Sequence, residues 1–261
     1  MTDFTLPYGK TQLPFSLPDS RPVTLLAPAQ ADPAADPVAV VEQAMAAPVG
    51  GVDLADFAGA RSAAIAINDK TRPVPHQHLL PPLLARLEGL GLPPRAITLL
   101  IATGTHPPMT PAEYPAILPP DILARYPVIC HDAYDQASLV RLGQTGRGTP
   151  IWLNRHYVEA ELRLVVGNME PHQFMGFSGG VKSAVIGLAG AETINHNHAL
   201  MTDPEARLGS YAANPARQDV EEIGRLVGVH FALNAILNQA KQLVTAIGGE
   251  PAAVMGEGIP L

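Results

Sequence analysis

Cysteine is nearly absent: Cys130 is the single one in 261 residues, so neither an intrachain disulfide nor a thiolate metal cluster can be built. Clusters of basic residues are missing too. The 17 lysines and arginines are outnumbered by 24 acidic residues, giving a formal net charge of −7. Nucleic acid and anionic membranes both demand a basic surface, so neither is an expected partner and a small molecule is. No apolar run reaches the eighteen or so residues of a membrane span, and the opening MTDFTLPYGKTQLPFSLPDS lacks the basic region and apolar stretch of a secretory signal. The expected location is therefore the cytoplasm. Charged residues are few, at 16% against 47% hydrophobic, a balance that excludes a disordered or fibrous chain.

What is present is a series of apolar runs that each stop at a polar cluster. SAAIAIND stops at Asp69, AITLLIATGTH at His106, PVICHD at His131 and ELRLVVGNMEPH at His172. Between the first two, PHQHLLPPLLARLEGLG repeats leucine at 79, 80, 83, 84 and 87, a helical spacing closed by glycine. Later, AETINHNHALM and ARQDVEEIGRLVG read as helices and VHFALNAILN as a strand. Apolar strands alternating with helices predict an α/β fold: a mainly parallel sheet with helices on both faces and a site at the carboxyl ends of the strands. One cleft there is expected to gather Asp69, Arg72, His106 and His172. The proline-rich stretch from Leu26 to Pro48 reads as a surface loop followed by a short helix. The expected division is an amino-terminal extension and connection over 1–50 and the main domain over 51–261.

Three local patterns carry chemistry. GFSGGVKS approaches a phosphate-binding loop but has Val181 where that motif requires glycine before the lysine. It is either a looser cradle formed by Ser178, Gly179 and Gly180 amides or a tight turn into a helix. Lys182, set among apolar residues, is a candidate for a desolvated, reactive amine, with an ordinary solvated lysine as the alternative. His106 and His172 each follow a strand. Either they are hydrogen-bonded structural groups or they form an acid/base pair. In the HNH triplet, His196 and His198 point about 200° apart on a helix, so one site can use only one of them. No cysteine cluster or HExxH pattern supports a protein-only metal cage, but a metal held mainly by an organic cofactor needs only one histidine. Asp69 and Arg72 suit an anionic substrate, or form a structural ion pair.

Taken together, DKTRP (Asp69–Pro73), GTHPPMT (Gly104–Thr110), EPHQFMGFSGGVKS (Glu170–Ser183) and ETINHNHALM (Glu192–Met201) resemble the nickel-dependent lactate racemase family, over about Ile65 to Glu250 and within the family's amino-terminal domain. The resemblance implies a nickel-pincer nucleotide, a pyridinium-3,5-bisthiocarboxylic acid mononucleotide, covalently bound through Lys182, with His198 ligating nickel. It implies that His106 and His172 are the paired acid/base residues, that Asp69 contacts the cofactor and Arg72 the substrate, and that Ser178, Gly179 and Gly180 hold the nucleotide end. The implied activity is racemisation or epimerisation of a 2-hydroxy acid by proton-coupled hydride transfer, with cofactor-synthesis enzymes as partners. Family enzymes continue into a further domain, whereas this chain stops at AVMGEGIPL. On that basis weak catalysis is expected, with a truncated, non-catalytic cofactor- or nucleotide-binding homologue as the alternative. A phosphotransferase is the third reading.

Overall fold

A computed structural model describes residues 1–26 and 29–261. Of the expected loop after Leu26, residues 27 and 28 lie outside the described residues. The chain forms two compact units, Met1–Gln30 and Ala31–Leu261. The first is built on an antiparallel hairpin, β1 (Thr2–Tyr8) with β2 (Thr11–Leu17), in which Phe4 stacks on Phe15 with ring centroids 5.5 Å apart. The sequence reading anticipates no element there.

The second unit begins with α1 (Pro37–Ala46), the short helix expected after the proline-rich stretch. It continues through β3 (Ala63–Asn68), α2 (His76–Gly89), β4 (Ile97–Ala102), α3 (Pro120–Arg125) and β5 (Val128–Cys130). A hairpin of β6 (Leu139–Gln144) and β7 (Pro150–Asn154) leads to α4 (Arg155–Glu159) and β8 (Leu162–Met169). After β8 come a minimal hairpin, β9 (Pro171–His172) with β10 (Gly176–Phe177), and two short helices, α5 (Lys182–Val185) and α6 (Ala191–Ala199). The chain closes with α7 (Pro215–Val227), β11 (Phe231–Leu237), β12 (Leu243–Gly249) and α8 (Pro251–Gly258).

Six strands form one sheet in the order β12-β11-β8-β3-β4-β5. It is parallel except for the β11–β12 pair. Strand β3 is buried along nearly its whole length, which is why its sequence is continuously apolar and not alternating. Its Ile65 and Ile67 enter a core with Leu79, Leu80, Leu83, Leu84 and Leu87 of α2 and Val41 of α1. Its Ala64 and Ala66 enter a second core on the other face, with Ala184 of α5, Val220 of α7 and Val254 of α8. Small side chains on that second face let the short α5 approach the sheet. Helices thus cover both faces, as the apolar pattern predicts. Among the described residues no helix is long and apolar enough to cross a membrane.

Helix α7 has clear ends. The Asn214 side chain caps its start by accepting from the Arg217 N–H, Pro215 occupies the first turn, and Gly228 stops it at φ 72°, the left-handed conformation that glycine adopts without cost.

Candidate active site

From β3 the sheet grows outward to β5, then returns to add β8 on the other side of β3. Such a reversal leaves a crevice at the carboxyl ends of the strands. A cavity of about 190 Å³ lies there. Asp69 and Arg72 reach it from the end of β3, and His106 from the end of β4. His172 and Phe174 come from the hairpin after β8, Lys182 from the start of α5 and His198 from α6. Six side chains marked in the sequence, Asp69, Arg72, His106, His172, Lys182 and His198, therefore meet in one place. Ser178, Gly179 and Gly180 do not line it.

Asp69 is nearly buried, its side chain 4% exposed, while that of His106 is 44% exposed. The His106 Nδ1 sits 2.8 Å from Asp69 Oδ2. The other carboxylate oxygen accepts the Thr71 N–H at 3.0 Å and the Thr71 hydroxyl at 2.6 Å. A carboxylate can only accept, so His106 Nδ1 carries a proton, and in the neutral ring Nε2 is the free acceptor. His172 is arranged the opposite way. Its Nδ1 accepts the Met175 N–H at 3.3 Å, which leaves the neutral ring with its proton on Nε2. At rest, one histidine offers an acceptor and the other a donor.

Burial, then the positive charges of Lys182, Arg72, His198 and Arg217, push His172 down to about 4. His198 is likewise lowered to about 4, by burial and then by Lys182. Both rings are neutral near pH 7. Phe174 stands between them, edge-on to each, with centroids 5.1 Å from His172 and 5.0 Å from His198, so it spaces the two imidazoles. Helix α6 turns His198 into the cavity and leaves His196 exposed to solvent. Among the described residues no three His, Cys, Asp or Glu side chains gather as a metal would need.

The glycine loop serves the site indirectly. Ser178 N–H donates to Glu170 O at 2.9 Å, and Gly180 N–H to Asn234 Oδ1 at 2.6 Å. These amides are engaged within the protein, which fits the tight-turn alternative better than an amide cradle opening on the cavity. Gly179 has φ 86°, and a Cβ there would stand 2.9 Å from Asn234 Oδ1. Gly180 has φ 55°, and a Cβ there would stand 2.8 Å from Met255 Cγ. Only glycine fits both positions. The loop carbonyls are held by Arg217, which donates to Phe177 O and Gly179 O, each at 3.1 Å. What the turn delivers is Lys182, at the first residue of α5.

Burial, with Arg72 and Arg217 adding to it and Glu170 opposing, lowers the Lys182 amine to about 7. The unfolded chain holds this proton up to 10.5 and the folded chain releases it near neutrality, so this group makes the fold more stable as pH rises between those limits. Amine acylation of Lys182, followed by peptide mass spectrometry, is expected to reach half its maximal rate near pH 7. A midpoint near that of an ordinary lysine would mean that burial does not suppress its charge.

His131, which ends the third apolar run, is fully buried. Its Nε2 bonds Ala189 O at 2.9 Å and its Nδ1 lies 3.2 Å from Asn154 Nδ2; it holds β5 to its neighbours and stays out of the cavity. Sequence reasoning missed Phe174, although its place between His172 and the loop was a signal, and missed Asn197, whose one hint was its position beside His198.

Residues 8–209 match the model of the lactate racemase N-terminal domain. A lactate racemase from Thermoanaerobacterium thermosaccharolyticum is 32% identical over 254 residues, covering 95% of this chain and 59% of that protein. One from Lactiplantibacillus plantarum is 33% identical over 213 residues, covering 80% of this chain and 50% of its own length. The chain thus spans between half and three-fifths of these relatives. The solved lactate racemase apoprotein from T. thermosaccharolyticum superposes with a TM-score of 0.88 at 30% identity, over 99% of this chain and 61% of that one. A Thermotoga maritima protein shares the fold, with a TM-score of 0.69 at 19% identity over 89% of this chain and 59% of that one.

Proposed function

Because the chain belongs to the family of the lactate racemase N-terminal domain, we propose that its cavity serves the interconversion of 2-hydroxy acid enantiomers, with lactate as the default substrate, on a nickel-pincer nucleotide. The observation that carries this reading is the meeting of two histidines of opposite proton presentation with Arg72 and Lys182 in one cavity. Interconverting two hydroxy acid enantiomers by hydride transfer needs a group that takes the hydroxyl proton and one that can return a proton to the oxygen, and two such histidines face this cavity.

The donor set fits the cofactor. Lys182 is lowered to about 7, so a large share is free amine near neutrality, the form that bonds covalently to a carbonyl-type carbon. His198 is a neutral imidazole, the form that ligates a metal. One histidine is enough for a metal whose other ligands are organic. When bound, the nucleotide supplies the acceptor for the C2 hydride. The rest falls to this chain. Arg72 pairs its guanidinium with the substrate carboxylate. His106 Nε2 accepts the hydroxyl proton, and Asp69 stabilises the imidazolium that results. His172 Nε2–H bonds the oxygen as it becomes a carbonyl. For the opposite enantiomer His172 accepts the hydroxyl proton through Nε2, its own proton moving to Nδ1 at the cost of the Met175 contact, and the oxygen is bonded by the Nε2–H of a His106 that already carries protons on both nitrogens. The positive charges that hold His172 near 4 include Arg72. An anionic substrate paired with Arg72 offsets that field and raises the basicity of His172 when it is needed.

Loading calls for enzymes that make the nucleotide, so the test is coexpression with them. The intact protein is expected to gain a covalent adduct that Lys182→Ala abolishes. A chain that stays unmodified under conditions that load a lactate racemase would overturn the proposal.

A further inference from the structure

His198 Nδ1 lies 3.2 Å from Asn197 Oδ1, and a polar network behind this contact decides which atom carries the proton. Asn197 is fully buried. Its Nδ2 donates to Ala216 O and to Asp219 Oδ2, each at 2.9 Å. The first of these is a backbone carbonyl and can only accept, so the amide cannot turn over without setting oxygen against oxygen. Asp219, also fully buried, is itself held. It takes the Thr145 hydroxyl at 2.6 Å on Oδ1 and the Thr149 hydroxyl at 2.8 Å on Oδ2. Asn197 must therefore present Oδ1, an acceptor, to the ring.

We infer that Asn197 and Asp219 are positioning residues that fix the proton of His198 on Nδ1 and leave the Nε2 lone pair for a cation in the cavity. The inference rests on the proposed role of His198, but its first consequence does not depend on any metal. A solvated neutral imidazole prefers its proton on Nε2; here the network imposes the opposite tautomer. A partner on the far nitrogen that sets the tautomer is how protein sites prepare a metal-binding histidine. Here the partner is an amide, locked by a carboxylate and a carbonyl one step further out. The network also ties α6 to α7 and to the β6–β7 turn, so the ring is anchored from outside its own helix.

The test uses the cofactor-free protein with nitrogen-15 histidine. Long-range proton–nitrogen correlations at neutral pH are expected to show His198 with its proton on Nδ1, and Asn197→Ala is expected to move it to Nε2. Finding the proton on Nε2 in the unaltered protein overturns the inference, whether or not the variant folds. If Asn197→Ala folds and the proton stays on Nδ1, the inference also fails. Asp219→Asn, which gives Asn197 a neighbour able to donate, is expected to produce a mixture of tautomers. A second readout is nickel loss to a chelator from cofactor-loaded protein, which Asn197→Ala should speed by roughly 10–100-fold. A protein that never takes up nickel but shows the Nδ1 proton would defeat the proposed function and leave the network's role standing.

Discussion

Arg217→Met is expected to remove roughly 3–5 kcal/mol of folding stability, the cost of leaving a buried charge without its partner. Arg217 is 0% exposed and sits 2.6 Å from Glu221 Oε1, whose side chain is 6% exposed. It also covers the Tyr211 ring at 5.3 Å. Methionine fills similar volume but leaves the Glu221 carboxylate with the Tyr211 hydroxyl as its donor and no ion partner, and removes the Arg217 donors from Phe177 O and Gly179 O. Denaturant titration measures the loss directly, and a melting temperature lower by on the order of 10 °C should accompany it. Adding Glu221→Leu should recover part of the stability, since an apolar pair can replace an ionic one. Recovery should be incomplete because Phe177 O loses its Arg217 donor and Gly179 O keeps only the Lys182 N–H at 3.3 Å. A loss under about 1 kcal/mol for the single variant would show that the loop holds itself.

On the proposed function, replacing either His106 or His172 with alanine in the cofactor-loaded protein should lower racemisation by roughly 10²–10⁴-fold, the usual worth of a positioned acid or base. The two enantiomers of the substrate have equal free energy, so the equilibrium constant is one. Any variant must therefore keep kcat/KM equal in the two directions, and steady-state rates cannot reveal which histidine serves which enantiomer. Single-turnover formation of the 2-oxo acid can. His106→Ala should abolish it for the enantiomer whose proton His106 accepts and only slow it for the other, where His106 bonds the oxygen, and His172→Ala should do the reverse. If both variants lose the same enantiomer, the histidines do not face opposite sides of the stereocentre.

The strand ends were readable in the sequence because a parallel strand covered on both faces needs an apolar run, and the polar cluster that follows marks where the sheet ends. Asp69, His106 and His172 follow that logic, and Arg72 lies three residues beyond the first of those ends. Helix α7 was readable only as a shape. Its pattern looked amphipathic, yet Arg217, Asp219 and Glu221 all lie on the buried side. Hydropathy assigns charges to the solvent face, and nothing in the spacing says that these three meet two loop carbonyls, two threonines, an asparagine and a tyrosine. The same blindness left the glycine loop open between a cradle and a tight turn. Whether a glycine turn shows its amides to a ligand or to its own protein depends on partners such as Asn234, 54 residues further along the chain.

The order β12-β11-β8-β3-β4-β5 also has a bearing on synthesis at the ribosome. By the time β5 has emerged, β3, β4 and β5 can already pair, and Asp69 and His106 belong to that early half. Strand β3 is then an open apolar edge, because its second neighbour, β8, is translated later. Such edges invite pairing with other chains. The nascent protein therefore carries Asp69 and His106 beside an open apolar edge until β8 arrives to cover it, with His172, Lys182 and His198 following.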